Sequence, residues 1–280
     1  MEPLFEHRLA LAGCSTRVLE LEGEGPPHLL LHGYADSADT WRYLLDRLGR
    51  EGRRAVAIDL PGFGAADPLV AGLVLPQIDR VVAAALEYAG ADAIVVGNSL
   101  GGCAALRLAE RAPDGVLGVV AVAPAGLDMA RWFAMIERDR LLRTLLSVPT
   151  PLPGRVVREI VGRVYRTLAF AHPGKIDAKV IDAFTSHHAD RATVRRYLDT
   201  ARRMLPELRD PFALADIRCP VLLVWGERDR MVFSSGAERV LRTLEASSLE
   251  LIPDCGHCPQ LEAPDKLFEL VRAFPEAVPA

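Results

Sequence analysis

Four short apolar runs, each closed by a turn signal and followed by a helix-like segment, constrain this chain more than any other feature. His28-Leu29-Leu30-Leu31 stops at His32-Gly33, and Ala55-Val56-Ala57-Ile58 stops at Asp59-Leu60-Pro61-Gly62. Ala93-Ile94-Val95-Val96 stops at Gly97, and Val116 to Ala123 stops at Pro124. Short runs without polar alternation are the pattern of strands buried on both faces, and the helical patterns between them supply the covering layers. The reading is an α/β fold with a mostly parallel central sheet flanked by helices. Phe5 to Ala12 and Thr16 to Leu21 alternate more weakly and are expected as an antiparallel edge. At 280 residues and 50% apolar composition, the chain has enough material for one sizeable core with a large insertion.

The insertion is visible as a change of pattern. From Gly126 to Asp210 the strand signal disappears, and Trp132 to Leu146, Gly154 to Phe170, Ile176 to His188 and Thr193 to Leu205 read as helices separated by proline or polar breaks. The sheet resumes at Pro220 to Trp225, followed by a helix near Ser235 to Leu244, a strand at Ser248 to Ile252 and a helix near Pro264 to Phe274. The expected organisation is an α/β core in two parts, residues 1–125 and 211–280, with a helical cap at 126–210.

Bulk properties remove several classes of partner. The formal net charge is -4, and the 33 basic residues are spread along the chain, which gives no support for nucleic acid or an anionic membrane as partner. No basic segment followed by an apolar run opens the chain, and the richest apolar stretch, Val116 to Leu127, is too short to span a bilayer. The expectation is a soluble, cytoplasmic protein acting on a small molecule; monomer and homodimer are equally open. Five sparse cysteines do not form a disulfide framework.

Chemistry concentrates at the carboxyl ends of the expected strands, where open parallel sheets place their ligands. Gly97-Asn98-Ser99-Leu100-Gly101-Gly102 lies between an apolar strand and a helical run. A serine at such a turn stands clear of the backbone, and the flanking glycines leave room for the sharp bend. The helix start then offers the Leu100 N–H to an oxygen that becomes negative during attack. His32-Gly33-Tyr34 closes an earlier strand, and Gly33 permits a turn that sets the Tyr34 N–H beside that of Leu100; His32 itself reads as a turn residue. Serine needs a base, and the base needs an acceptor on its other nitrogen. Asp229, in Gly226-Glu227-Arg228-Asp229, and His257, in Asp254-Cys255-Gly256-His257, follow the last two strands in the order expected for this fold. Asp128 is the reserve acid. Asp254 stands too near the base in sequence, and Glu227 reads as a surface ion-pair partner.

These pieces resemble the α/β-hydrolase fold superfamily. The resemblance rests on His32-Gly33-Tyr34, Asp59-Leu60-Pro61-Gly62-Phe63-Gly64, Gly97 to Gly102, Gly226 to Asp229 and Gly256-His257-Cys258-Pro259-Gln260-Leu261-Glu262-Ala263-Pro264. The branch it is similar to is the capped bacterial one, with carboxylesterases, lactonases, carbon–carbon bond hydrolases of aromatic degradation, cofactor-free haloperoxidases and haloalkane or epoxide hydrolases. The resemblance implies Ser99 as nucleophile, Asp229 as acid, His257 as base, Tyr34 and Leu100 as backbone oxyanion donors, and Asp59 to Gly64 as a structural loop. Ser99 opposes the dehalogenases and epoxide hydrolases, whose nucleophile is Asp. The carbon–carbon hydrolases carry a Gly-rich stretch after His-Gly and a Trp after the catalytic His. Here Tyr34-Ala35-Asp36-Ser37 and Cys258 stand in those places, although Asn98-Ser99 resembles theirs.

The expected activity is therefore hydrolysis of a small to medium carboxylic ester, lactone or thioester through an acyl-enzyme, with no cofactor required and no metal. The runner-up is carbon–carbon bond hydrolysis of the aromatic meta-cleavage type, and the non-enzymatic alternative is a binding protein that keeps the pocket. Trp132, Phe133, Met135 and Ile136 are expected to line the acyl site or pack in the cap. Cys255-Gly256-His257-Cys258 has the form of a thiol exchanger but lies late, in the loop of the expected base, so oxidation sensitivity is the more modest expectation. His187, His188 and Asp190 read as surface, as do Arg191, Arg195 and Arg196. Glu137 and Glu159 would serve an aminopeptidase only if the cap turned them inward.

Overall fold

The computed structural model describes residues 4–90, 92–129, 154–176 and 191–274. Among them, eight strands form one sheet: β1 (Leu4–Leu11), β2 (Cys14–Leu21), β3 (Glu24–Leu31), β4 (Arg53–Ile58), β5 (Ala93–Asn98), β6 (Val116–Val122), β7 (Val221–Gly226) and β8 (Ser247–Ile252). Their spatial order is β1-β2-β4-β3-β5-β6-β7-β8. β2 pairs antiparallel with both β1 and β4, and every pairing from β4 to β8 is parallel.

Side chains alternate across this sheet, and both faces are buried. Leu29, Leu31, Val95, Val119, Ala121, Leu223 and Trp225 join one core cluster, whereas Leu30, Ile94, Val96, Val120, Val122, Leu222 and Val224 join the other. This period of two explains why the runs read as continuously apolar. Helices α2 (Leu75–Ala89) and α3 (Leu100–Arg111) cover the first face with Ile78, Val82, Ala85, Cys103 and Leu106. Helix α1 (Arg42–Arg50) and the C-terminal α8 (Pro264–Ala273) cover the second with Leu44, Leu45, Leu48, Leu267 and Val271.

The expected strands are all present, and β3 exceeds its apolar run by the most, four residues. β3 begins at Glu24, and its register against β4 shifts between Glu24 and His28. Pro26 and Pro27 fall in that irregular stretch and have no N–H to give a ladder, so the extension carries no strand signal.

The order β4-β3-β5 has a direct consequence for function. From β3 the chain passes first to β4 on one side and then to β5 on the other, so the carboxyl ends of β3 and β5 flank the switch point where α/β sheets open a crevice. Between β6 and β7 the described residues carry helices α4 (Gly154–Ala169) and α5 (Arg191–Met204), matching two of the expected inserted helices. The helix expected over Trp132 to Leu146, and all but the first residue of that expected over Ile176 to His188, lie outside the described residues, as do Glu137, His187, His188, Asp190 and the proposed lining residues. Short helices α6 (Ala237–Thr243) and α7 (Pro259–Glu262) flank β8. No described helix is long and apolar enough to cross a membrane.

Candidate active site

Ser99 follows β5 and precedes α3 with φ 54° and ψ -112°, a conformation that costs a non-glycine residue free energy. Backbone bonds hold it there. The Ser99 N–H donates to the Val122 carbonyl (2.9 Å), and its carbonyl accepts from Cys103 (2.9 Å) and Ala125 (3.0 Å). The flanking glycines are demanded by close approach: a Cβ on Gly97 would stand 2.2 Å from the Gly101 carbonyl oxygen, and one on Gly101 only 2.0 Å from that of Leu31. The first N–H groups of α3, beginning with Leu100, have no acceptor within the helix and face the turn.

The His32-Gly33-Tyr34 turn lies directly against this elbow. A Cβ built on Gly33 would sit 3.3 Å from Asn98 Oδ1 and 3.4 Å from Ser99 Cβ. His32 is fully buried and sets the turn. Its Nε2 accepts the Leu60 N–H (2.8 Å), which leaves the hydrogen on Nδ1 to donate to the Gly33 carbonyl (2.7 Å). Across a trans peptide the N–H opposes the carbonyl, so the Tyr34 N–H points away from His32. The Tyr34 hydroxyl donates to the Tyr197 carbonyl on α5 (2.5 Å), and Phe63 packs edge-on against Tyr34 at 5.3 Å.

Asp59 shows why the segment after β4 accompanies this site. Its carboxylate accepts the N–H groups of Ala38 and Ala65, each at 2.7 Å, and pairs with Arg17 at 3.0 Å. One buried side chain thus ties the segment after β3 to the loop after β4.

Asp229 and His257 meet after β7 and β8. Asp229 Oδ1 accepts the N–H groups of Met231 (2.7 Å) and Val232 (3.1 Å), leaving Oδ2 for His257 Nδ1 at 2.7 Å. Both side chains are buried. With Nδ1 engaged by a carboxylate, the imidazole presents the bare Nε2, which is buried and hydrogen-bonds to no described residue. Asn98, the neighbour of Ser99, donates from Nδ2 to the His257 carbonyl (3.0 Å), and Gln260 Nε2 donates to Asn98 Oδ1 (3.1 Å) and Thr40 Oγ1 (3.2 Å). The elbow, the 3₁₀ turn Ala38–Trp41 and the histidine loop therefore share one buried polar network.

The other carboxylates are engaged elsewhere. Asp128 accepts the Ser235 hydroxyl (2.5 Å), Asp254 pairs with His172 (2.6 Å) and Arg228 (2.8 Å), and Glu227 is exposed. Cys255 and Cys258 are free and buried, and burial pushes both thiols up, the reverse of what a reactive thiolate needs. Arg195, Arg196 and Glu159 are exposed. Asn98, Gln260, Glu262 and Asp36 were given no role by sequence reasoning. The only signal for three of them is that they lie within the motifs that flank Ser99 and His257.

Asp36 yields a prediction about stability. Burial pushes its carboxyl from 3.8 up to about 7, the charges of Asp59 and Asp39 add to this, and the Ser37 N–H and Thr40 hydroxyl offset part of it. The folded state then holds the proton more tightly than the unfolded state, so this group's contribution falls as pH rises from about 4 to about 7. His28 opposes it: burial lowers its value from 6.5 to about 4, so its contribution rises over much of the same window. Asp36→Asn removes one side of this balance. Urea unfolding at several pH values should show the variant more stable than the parent above pH ~7, by on the order of 3 kcal/mol, with the gap closing toward pH ~4.

The fold is that of the α/β-hydrolase class. The chain belongs to the alpha/beta hydrolase family, whose model matches residues 29–270. It is 28% identical over 267 residues to the dihydrolipoyllysine-residue acetyltransferase component of the acetoin cleaving system of Cupriavidus necator, covering 93% of this chain and 66%, just under two thirds, of that protein. It is 29% identical over 272 residues to the 2-hydroxy-6-oxo-6-(2'-aminophenyl)hexa-2,4-dienoic acid hydrolase of Metapseudomonas resinovorans, covering 94% and 88% of the two chains. Among solved structures, a serine hydrolase involved in carbazole degradation superposes with a TM-score of 0.79 at 24% identity, covering 99% of this chain and 100% of that one. A membrane phospholipase A superposes with a TM-score of 0.81 at 26% identity, covering 98% and 86%.

Proposed function

We propose that this protein is a serine hydrolase that cleaves a small to medium carboxylic ester, lactone or thioester through an acyl-enzyme. The observation that carries the reading is the buried Asp229–His257 pair with its bare Nε2, held through Asn98 beside a strained serine elbow. In this mechanism His257 Nε2 takes the Ser99 proton as Oγ attacks the carbonyl carbon, and Asp229 stabilises the resulting imidazolium. The N–H groups of Leu100 and Tyr34 receive the oxyanion. His257 then gives the proton to the leaving alcohol and activates water to release the acid. An apolar cluster of Ala169, Phe170 and Cys258, with Tyr165, Ile176 and Met231 against it, adjoins His257 and favours an apolar acyl group.

The test is hydrolysis of p-nitrophenyl esters of graded acyl length by the parent and by Ser99→Ala. Turnover peaking at one length and falling at least ~10⁴-fold in the variant is the expected result. A parent inert on every ester but active on a meta-cleavage dienoate would move the assignment to carbon–carbon bond hydrolysis, which the 29% identity to the hexadienoic acid hydrolase favours. Inertness on both substrate classes would leave the binding-protein reading.

A further inference from the structure

Glu262, the last residue of α7, joins the histidine loop to the exit of the inserted helix α4. Its Oε2 accepts the N–H groups of Gly256 (2.6 Å) and Ala171 (3.2 Å), and its Oε1 accepts that of His172 (2.9 Å). Gly256 immediately precedes His257, and Ala171 and His172 lie two and three residues beyond the end of α4. The two backbones are also in direct contact. The His257 N–H donates to the Ala169 carbonyl (2.7 Å), and a Cβ on Gly256 would stand 2.5 Å from the Ala169 oxygen and 2.7 Å from the Ala171 nitrogen. Two outer ties repeat the connection: His172 Nε2 pairs with Asp254 Oδ2 at 2.6 Å, and Arg230 donates to the Thr167 carbonyl (3.0 Å) from the loop that carries Asp229.

We propose that Glu262 is a positioning residue for His257, a carboxylate joint through which the segment after α4 holds the imidazole in register with Ser99. The proposal rests on the serine-hydrolase reading. The chemistry selects a carboxylate because three backbone N–H donors, together with the Cys255 thiol, converge on one side chain. Two carboxylate oxygens offer lone pairs to all of these donors, whereas a glutamine keeps one oxygen and turns an NH₂ group against a backbone N–H. A base whose loop is loosened spends less time within reach of the serine proton, and that loss falls on kcat rather than on binding.

Glu262→Gln tests this in the full chain with three readouts: ester kinetics, phosphonylation of Ser99 by a small fluorophosphonate, and backbone hydrogen exchange. The expected result is that kcat and the phosphonylation rate fall together by about 10- to 50-fold with KM within about twofold, while exchange speeds up at the Ala171, His172 and His257 amides. Faster exchange with unchanged kcat and phosphonylation would reduce Glu262 to a structural tie and overturn the proposal; unchanged exchange would overturn the joint itself. Should Glu262→Gln fail to fold, His172→Ala severs an outer tie at the surface, and kcat is expected to fall about two- to fivefold at constant KM and thermal midpoint; an unchanged kcat overturns the proposal. A parent that does not react with the fluorophosphonate overturns the serine-hydrolase reading instead, and the exchange readout, which needs no activity, then decides the joint separately.

Discussion

In Asp229→Asn, kcat on the best ester is expected to fall about 10⁴-fold while KM changes little. The reason is the direction in which the new amide must face. Oδ1 of residue 229 receives the N–H groups of Met231 and Val232, so the amide oxygen has to stay on that side. The NH₂ group is then turned toward His257 Nδ1, now 2.7 Å from Oδ2, and a donor there forces the imidazole to carry its hydrogen on Nε2 instead. An imidazole with Nε2 protonated cannot accept the Ser99 proton. The fold should be unaffected, since the substitution is isosteric and keeps both backbone bonds. Steady-state kinetics together with a thermal melt check both halves, and retention of more than a tenth of parental kcat would remove Asp229 from the proposed triad.

Gly101→Ala is expected to destabilise the protein by more than about 4 kcal/mol, at the upper end for a single substitution. The added methyl would lie 2.0 Å from the Leu31 carbonyl oxygen, 2.5 Å from its carbon and 2.6 Å from the His32 oxygen. All three are backbone atoms at the carboxyl end of β3, where His32 begins the turn against the elbow, so no rotamer change relieves the overlap. Either α3 moves off the sheet or β3 bends away from β5, and both disrupt close-packed cores. Gly174→Ala is the control: its Cβ meets nothing within 4 Å, and its effect should stay within about 0.5 kcal/mol. Urea denaturation of the two variants beside the parent makes the comparison. A Gly101→Ala protein as stable as the parent would mean that α3 does not approach β3 as closely as described.

Much of the core was legible because burial on both faces of a parallel sheet leaves a local signature. Every expected strand lies within a few residues of its apolar run, and the residues after β3, β5, β7 and β8 carry turn chemistry that marks them in the sequence. What escaped the sequence was polar and long-range. The hydrogen bonds from Gln260 to Thr40 and Asn98 span 220 and 162 residues, and no local period records them. The β3 extension was missed because its prolines suppress the pattern they extend.

The amino-acid sequence by itself determined the class of fold and marked a serine turn, several carboxylates and a histidine at the ends of successive strands, because each depends on neighbours within a few residues. The tertiary structure decided which carboxylate meets His257. Asp128, Asp229 and Asp254 all follow strands near the same edge, but only Asp229 is turned by two backbone N–H groups to face His257, while the other two are held by Ser235, His172 and Arg228. It also decided that Glu262 gathers three backbone donors from two segments about 85 residues apart in the chain. Such convergence is set by how strands order in a sheet and how an inserted segment returns to it, information that pairs distant residues and is not written in the order of near ones.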